Sequence, residues 1–144
     1  TPMSNDMADF NAAIIDEFRS NEGRVGGPFE GAPMVLLHHK GARSGTERIA
    51  PLMSRVDGGR RFVFASKAGA PDNPDWFHNL VANPETSVEV AGDEGIEVRD
   101  VTAVVLEGGE RDSVWEAQKS DWPQFAEYEA STDRTIPVIE LTEL

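Results

Sequence analysis

Between Met34 and Ser66 the chain runs through three short, largely apolar stretches, at 34–39, 48–56 and 60–66, divided by Gly41-Ala-Arg-Ser-Gly45 and by Asp57-Gly58-Gly59. Both dividers have the makeup of tight turns. Connections this short join antiparallel neighbours, because a parallel pair needs a crossover of a dozen or more residues. The segment therefore predicts a three-stranded meander. Pro51 lacks the N–H that a ladder uses, so it belongs at an edge or a bulge.

Further along, 87–90 and 96–106 read as two more strands about the turn at 91–95, and 135–141 as a last one, which Pro137 restricts to an edge or irregular position. In the second of these Ile96 and Val98 alternate with Glu97 and Arg99, after which Val101, Ala103 and Val105 carry the apolar phase. A slip of one residue at Arg99-Asp100 is what a bulge produces.

Helical periodicity is confined to short pieces. After the cap-type residues Ser4 to Asp6, the positions Phe10, Ala13, Ile14 and Phe18 make one apolar face that ends near Gly23, and a loop rich in Gly and Pro follows to Pro33. Asn73 at the cap and Pro74 at the first helical position open a second helix, with Trp76, Phe77, Leu80 and Val81 on one side. A third begins near Arg111 and is split by Pro123. Six strands with these helices and no βαβ rhythm predict one α+β domain over 1–144, built on a six-stranded antiparallel barrel.

Composition narrows the chemistry. Absence of cysteine removes disulfides, thiolate nucleophiles and thiolate metal sites, and the three histidines, His38, His39 and His78, have no metal-ligand spacing. His38 and His39 are adjacent on a strand and so point to opposite faces, which prevents their acting as a pair. A net charge of −13 disfavours nucleic acid and anionic membrane partners. There is no apolar run long enough to span a membrane and no secretory pattern, so a cytoplasmic location is expected.

The charge is not evenly spread. From Lys40 to Lys67 lie seven cations (Lys40, Arg43, Arg48, Arg55, Arg60, Arg61, Lys67) and two acids (Glu47, Asp57), whereas the other residues carry six cations and 24 acids. Either a charge-balanced strand pair or an anion site is implied.

Three constellations could carry chemistry. In Gly41-Ala-Arg-Ser-Gly-Thr-Glu-Arg48, backbone N–H groups, the Ser44 and Thr46 hydroxyls and the Arg43 and Arg48 forks suit a phosphate or carboxylate, unless the turn is merely solvated. The segment from Ala65 to Asn79 combines small residues that let a planar ligand approach the backbone with Lys67, and puts Trp76 and Asn79 on one helix face; the alternative is a capped helix with a core Trp. Trp122, Phe125 and Tyr128, spaced at three, are either a packed helix face or an aromatic wall over an apolar substrate.

GARSGTER, ASKAGAPDNPDWFHNLVANP and STDRTIPV, in this order and spacing, resemble the deazaflavin-dependent nitroreductase family of mycobacteria and related actinobacteria, from about Phe10 to the last strand. The resemblance implies a split β-barrel of the flavin-binding, pyridoxamine-phosphate-oxidase type. It implies the cofactor coenzyme F420, a polyanion whose phosphate and oligoglutamate tail would be held by Arg43, Ser44, Gly45 and Arg48, with Lys40 further out. Ser66, Lys67, Ala68 and Gly69 would lie along the deazaflavin, with Trp76 and Asn79 closing that side. Trp122, Phe125 and Tyr128 would line the substrate cavity, and Ser66 or Tyr128 would hydrogen-bond the acceptor. The implied acceptors are small apolar molecules: quinones, nitroaromatics, and α,β-unsaturated lactones such as coumarins and aflatoxins. A coenzyme-carrying module without catalysis, or an FMN- or haem-binding relative of the barrel, is the alternative. The oligomeric state stays open, with a monomer the working expectation.

Overall fold

The computed structural model describes residues 12–23, 25, 33–42, 45–66, 73–92 and 95–143. A helix through 12–20 (α1) is followed by strands β1 (Met34–Lys40), β2 (Glu47–Asp57) and β3 (Arg60–Phe64), and helix α2 (Asp75–Ala82). Strands β4 (Glu85–Gly92) and β5 (Gly95–Val105), helices α3 (Gly108–Asp121) and α4 (Gln124–Ala130), and strand β6 (Val138–Glu143) complete it. The six strands close into an antiparallel barrel in the order β1-β2-β3-β6-β5-β4. The α+β barrel and the β1-β2-β3 meander are as the sequence predicts.

Alternation along the strands assigns the two faces. Val35, Leu37, Val63, Val88, Val101 and Ile139 fill the barrel together with Trp76 and Leu80 of α2, which lies across the barrel and packs mainly on β1. The opposite faces of the strands need separate cover. Met34 and Leu36 pack under Ile14 and Phe18 of α1, and Phe62, Phe64 and Val138 under Trp115 of α3 and Phe125 of α4. The end of α1 is fixed by Gly23, which at φ +93° gives its N–H to the Phe18 carbonyl at 2.7 Å. A Cβ there would stand 2.5 Å from that of Ala91, so only glycine lets α1 stop this close to β4.

Pro51 illustrates how topology accommodates a misfit. Ser54 N donates to the Pro33 carbonyl and Gly41 N to that of Thr46, which makes the intervening Leu36–Pro51 couple a non-hydrogen-bonded one. The proline nitrogen therefore faces away from β1, along a stretch where β2 has no second strand neighbour among the described residues, since β3 pairs only with Ser54 to Asp57. The local edge expected for Pro51 is present.

Several boundaries differ from the sequence reading. No bulge interrupts Arg99-Asp100: β5 pairs in one unbroken register with β4 from Glu85↔Thr102 to Gly92↔Gly95, and with β6. The apolar phase changes because Ile96 lies on the outer face and packs with the α1 cluster, while Val101 and Ala103 point into the barrel. Asn73 is not the cap of α2. Pro74 takes that position in extended conformation, and the Asn73 side chain is engaged by Arg134 instead. Helix α3 begins at Gly108, three residues before Arg111, and β3 ends at Phe64, before Ser66.

Candidate functional site

The β1–β2 hairpin closes with Gly41 N on the Thr46 carbonyl and Gly45 N on the Gly41 carbonyl, each at 2.9 Å, and Gly45 at φ +69° makes the reversal. Arg43 and Ser44, the centre of the expected anion cradle, lie outside the described residues, as do Lys67, Ala68 and Gly69. Lys40 and Arg48 flank the turn and are exposed, and neither forms an ion pair among the described residues.

Other cations of the basic segment are spent differently. Arg55 is held by Asp57 and Asp121, Arg60 by Glu110 and Glu140, and Arg61 is partly buried with no partner for its Nε among the described residues. The charge-balanced reading therefore holds at Arg55 and Arg60, whereas Lys40 and Arg48 leave exposed cations on either side of the hairpin turn.

Beneath that tip is a buried polar seam. His39, opposite Arg48 in the ladder, meets Asn79 with Nδ1 2.9 Å from the amide nitrogen. The Asn79 amide oxygen accepts the Ala42 N–H at 3.0 Å. Burial pushes the His39 imidazole below its ordinary value, and the charge of Arg48 adds to this. A neutral ring leaves Nδ1 free to accept from Asn79, which in turn hands its oxygen to the hairpin. His38, on the other face, sits between Glu47 at 3.0 Å and Glu89 at 2.7 Å, and Arg19 closes on Glu89 at 2.7 Å. The two histidines are separated as predicted.

One turn before Asn79, on the same helix face, Trp76 reaches an apolar cavity of about 290 Å³. Its wall includes Pro51 and Met53 of β2, Ser66 beyond β3, and Phe125 and Tyr128 of α4. Phe125 is buried, in edge contact with Phe64 at 5.5 Å and with Tyr128 at 5.2 Å between ring centres. Helix α4 is fastened to α3 by Glu129, which accepts from Trp115 Nε1 at 2.6 Å and pairs with Lys119 at 2.9 Å. The hydroxyl-bearing side chains, Ser66 and Tyr128, thus share one chamber with Trp76. Trp122 does not join them: it is the C-terminal cap of α3 and lines a separate hollow with Arg55, Gln118 and Asp121. Its spacing of three from Phe125 crosses the break at Pro123, so no single helix face carries all three.

Two contributors escaped the sequence reading. Pro51 and Met53 are part of the wall because they lie where β2 is not paired with β3, a fact of topology. Arg134 donates to the carbonyls of Ala65 and Ser66 and to Asn73. Its only signal was a place within STDRTIPV, where a cation stands in an acidic part of the chain. No group of three or more possible metal ligands occurs among the described residues. Nor is any helix among them long and apolar enough to cross a membrane.

A family model described as F420H(2)-dependent quinone reductase matches residues 13–143. An F420H(2)-dependent quinone reductase of Mycobacterium tuberculosis is 34% identical over 129 residues, covering 87% of this chain and 84% of that protein. A solved structure of an F420-H2 dependent reductase (FDR-A) superposes with a TM-score of 0.65 at 40% identity, covering 76% of this chain and 93% of the other. The haem storage protein HutZ of Vibrio cholerae, at 15% identity, shares the barrel alone, with a TM-score of 0.62 over 90% of this chain and 87% of its own.

Proposed function

The chain belongs to the F420H(2)-dependent quinone reductase family, and from that premise we propose that it reduces quinones with reduced coenzyme F420, the hairpin tip gripping the anionic coenzyme and the apolar cavity receiving the acceptor. One observation carries the reading: α2 touches both places. Asn79 is bonded to the hairpin and Trp76, on the same helix face, lines the cavity. Arg48 lies three residues along β2 from Pro51, about 10 Å at ~3.3 Å per residue, a separation that suits a ligand with a charged tail and a planar ring.

The residues fit such a group. Lys40 and Arg48 have no ion pair to surrender among the described residues, and Gly45 has open space where a Cβ would stand. Arg43 and Ser44 would complete this grip, and Lys67, Ala68 and Gly69 would flank the ring with Ser66 and Trp76. When bound, the coenzyme supplies a hydride. The protein's share is position and electrostatics. The Ser66 or Tyr128 hydroxyl donates a hydrogen bond to the acceptor oxygen, which gains negative charge as it is reduced, and water provides the proton. Trp76 and Phe125 keep the chamber apolar. Asn79, whose amide is committed to Ala42 and His39, serves by holding α2 to the hairpin. Trp122 has no part in this chamber.

Electron-poor planar acceptors share the quinone's shape and polarity, so nitroaromatics and α,β-unsaturated lactones such as coumarins and aflatoxins are proposed as further substrates. The test is to mix purified protein with reduced F420 and menadione and to follow coenzyme fluorescence. Accelerated, protein-dependent oxidation is expected. Binding without turnover across quinones, nitroaromatics and lactones would leave a coenzyme carrier, and no binding would end the assignment.

A further inference from the structure

We infer that Arg134 is a positioning residue that draws the three walls of the acceptor chamber together by clamping both ends of the 67–72 segment; the inference rests on the reading of the chamber given above. Its guanidinium Nη1 donates to the Ala65 carbonyl at 3.0 Å and to Asn73 Oδ1 at 2.6 Å, and Nη2 donates to the Ser66 carbonyl at 2.8 Å. Ala65 and Ser66 precede the segment and Asn73 follows it. Three residues beyond Arg134, the Pro137 carbonyl accepts the Ala65 N–H at 3.0 Å.

Each partner leads to a different wall. Ser66 carries one of the two chamber hydroxyls. Asn73 immediately precedes Pro74, which lines the chamber and caps the helix that bears Trp76. Arg134 itself stands four residues beyond α4, whose Phe125 and Tyr128 form the third wall. A planar fork with donors in fixed directions can hold two carbonyls and an amide oxygen at once, whereas the flexible ammonium of lysine cannot place its three donors on these partners without losing the geometry.

The variants Arg134→Lys and Arg134→Ala test this. In ligand-free protein, amide hydrogen exchange of peptides spanning 65–75 is expected to quicken in both, while β4, β5 and α3 exchange as before. In turnover with reduced F420 and menadione, KM for the acceptor should rise roughly tenfold with kcat changed much less, the pattern of lost positioning. Guanidinium ion added to Arg134→Ala should recover part of the KM. Unchanged exchange and KM in Arg134→Lys would overturn the inference, as would global unfolding of both variants, which would make Arg134 a general stabiliser. The exchange arm needs no coenzyme, so it fails or succeeds apart from the functional reading. Absence of wild-type turnover would count against that reading alone.

Discussion

Asn79 meets His39 at 2.9 Å, amide nitrogen to ring nitrogen, in the buried seam between α2 and β1. The contact works only if His39 Nδ1 carries no proton. A protonated ring would offer a donor to a donor, and a flipped amide would then face the Ala42 N–H with its own N–H groups. A single proton therefore opposes either the hold on α2 or the hold on the hairpin.

The pH dependence follows. Burial keeps the folded His39 below its ordinary value of 6.5, so the unfolded chain takes up a proton first as pH falls. Stability is then full above about 6.5, declines as pH drops from there towards the depressed folded value, and levels off below it. Urea unfolding between pH 7.5 and 5 should register this decline, and His39→Phe should flatten it. Asn79→Ala should cost about 1–3 kcal/mol at pH 7.5, because it strands the buried His39 ring and takes the partner from the Ala42 N–H.

A second window lies lower. Glu89 is buried and held below the usual carboxylate range by its hydrogen bond from Arg19, with His38 contributing. Such a depressed carboxylate stabilises above its unfolded value of about 4.5, and that contribution is lost as pH falls through the folded value. Glu89→Gln should remove this acid limb of the stability curve, with a loss near neutrality of about 1–2 kcal/mol, since Arg19 is half exposed and its attraction is screened.

At the hairpin tip the expected effect is on affinity alone. Lys40→Gln with Arg48→Gln removes two exposed cations that brace nothing among the described residues, so the melting temperature should stay in place. Coenzyme binding should weaken roughly tenfold at low salt, with the difference from wild type shrinking as the Debye length falls to about 3 Å near 1 M salt. Fluorescence titration at several ionic strengths measures it. Equal affinities for the two proteins at low salt would move the anion grip elsewhere.

In the chamber, Tyr128 and Phe125 should separate cleanly. Tyr128→Phe and Ser66→Ala are expected to lower kcat/KM for menadione by roughly ten- to a hundredfold together, leaving stability nearly unchanged, and Tyr128→Phe should leave coenzyme affinity in place as well. Phe125→Ala should instead cost about 3–5 kcal/mol of stability, because its ring is packed against Phe64 and Trp115. Chemical denaturation alongside steady-state kinetics distinguishes the two.

What the amino-acid sequence determined by itself is local: the glycine turns that make a meander of β1, β2 and β3, the break at Pro123, the opposite facing of His38 and His39, and the cations gathered about the first hairpin. These depend on backbone preference and residue spacing, which neighbouring positions settle among themselves. The closure of the barrel decided the rest. Ile96 reads as a phase error until α1 is seen to cover the outer face of β5, and Trp122 reads as a partner of Tyr128 until Pro123 turns it towards Arg55. Asn73 reads as a helix cap, yet an arginine 61 residues away holds it. Contacts between such distant positions leave no periodic trace along the chain, because only the folded register brings their side chains within bonding distance.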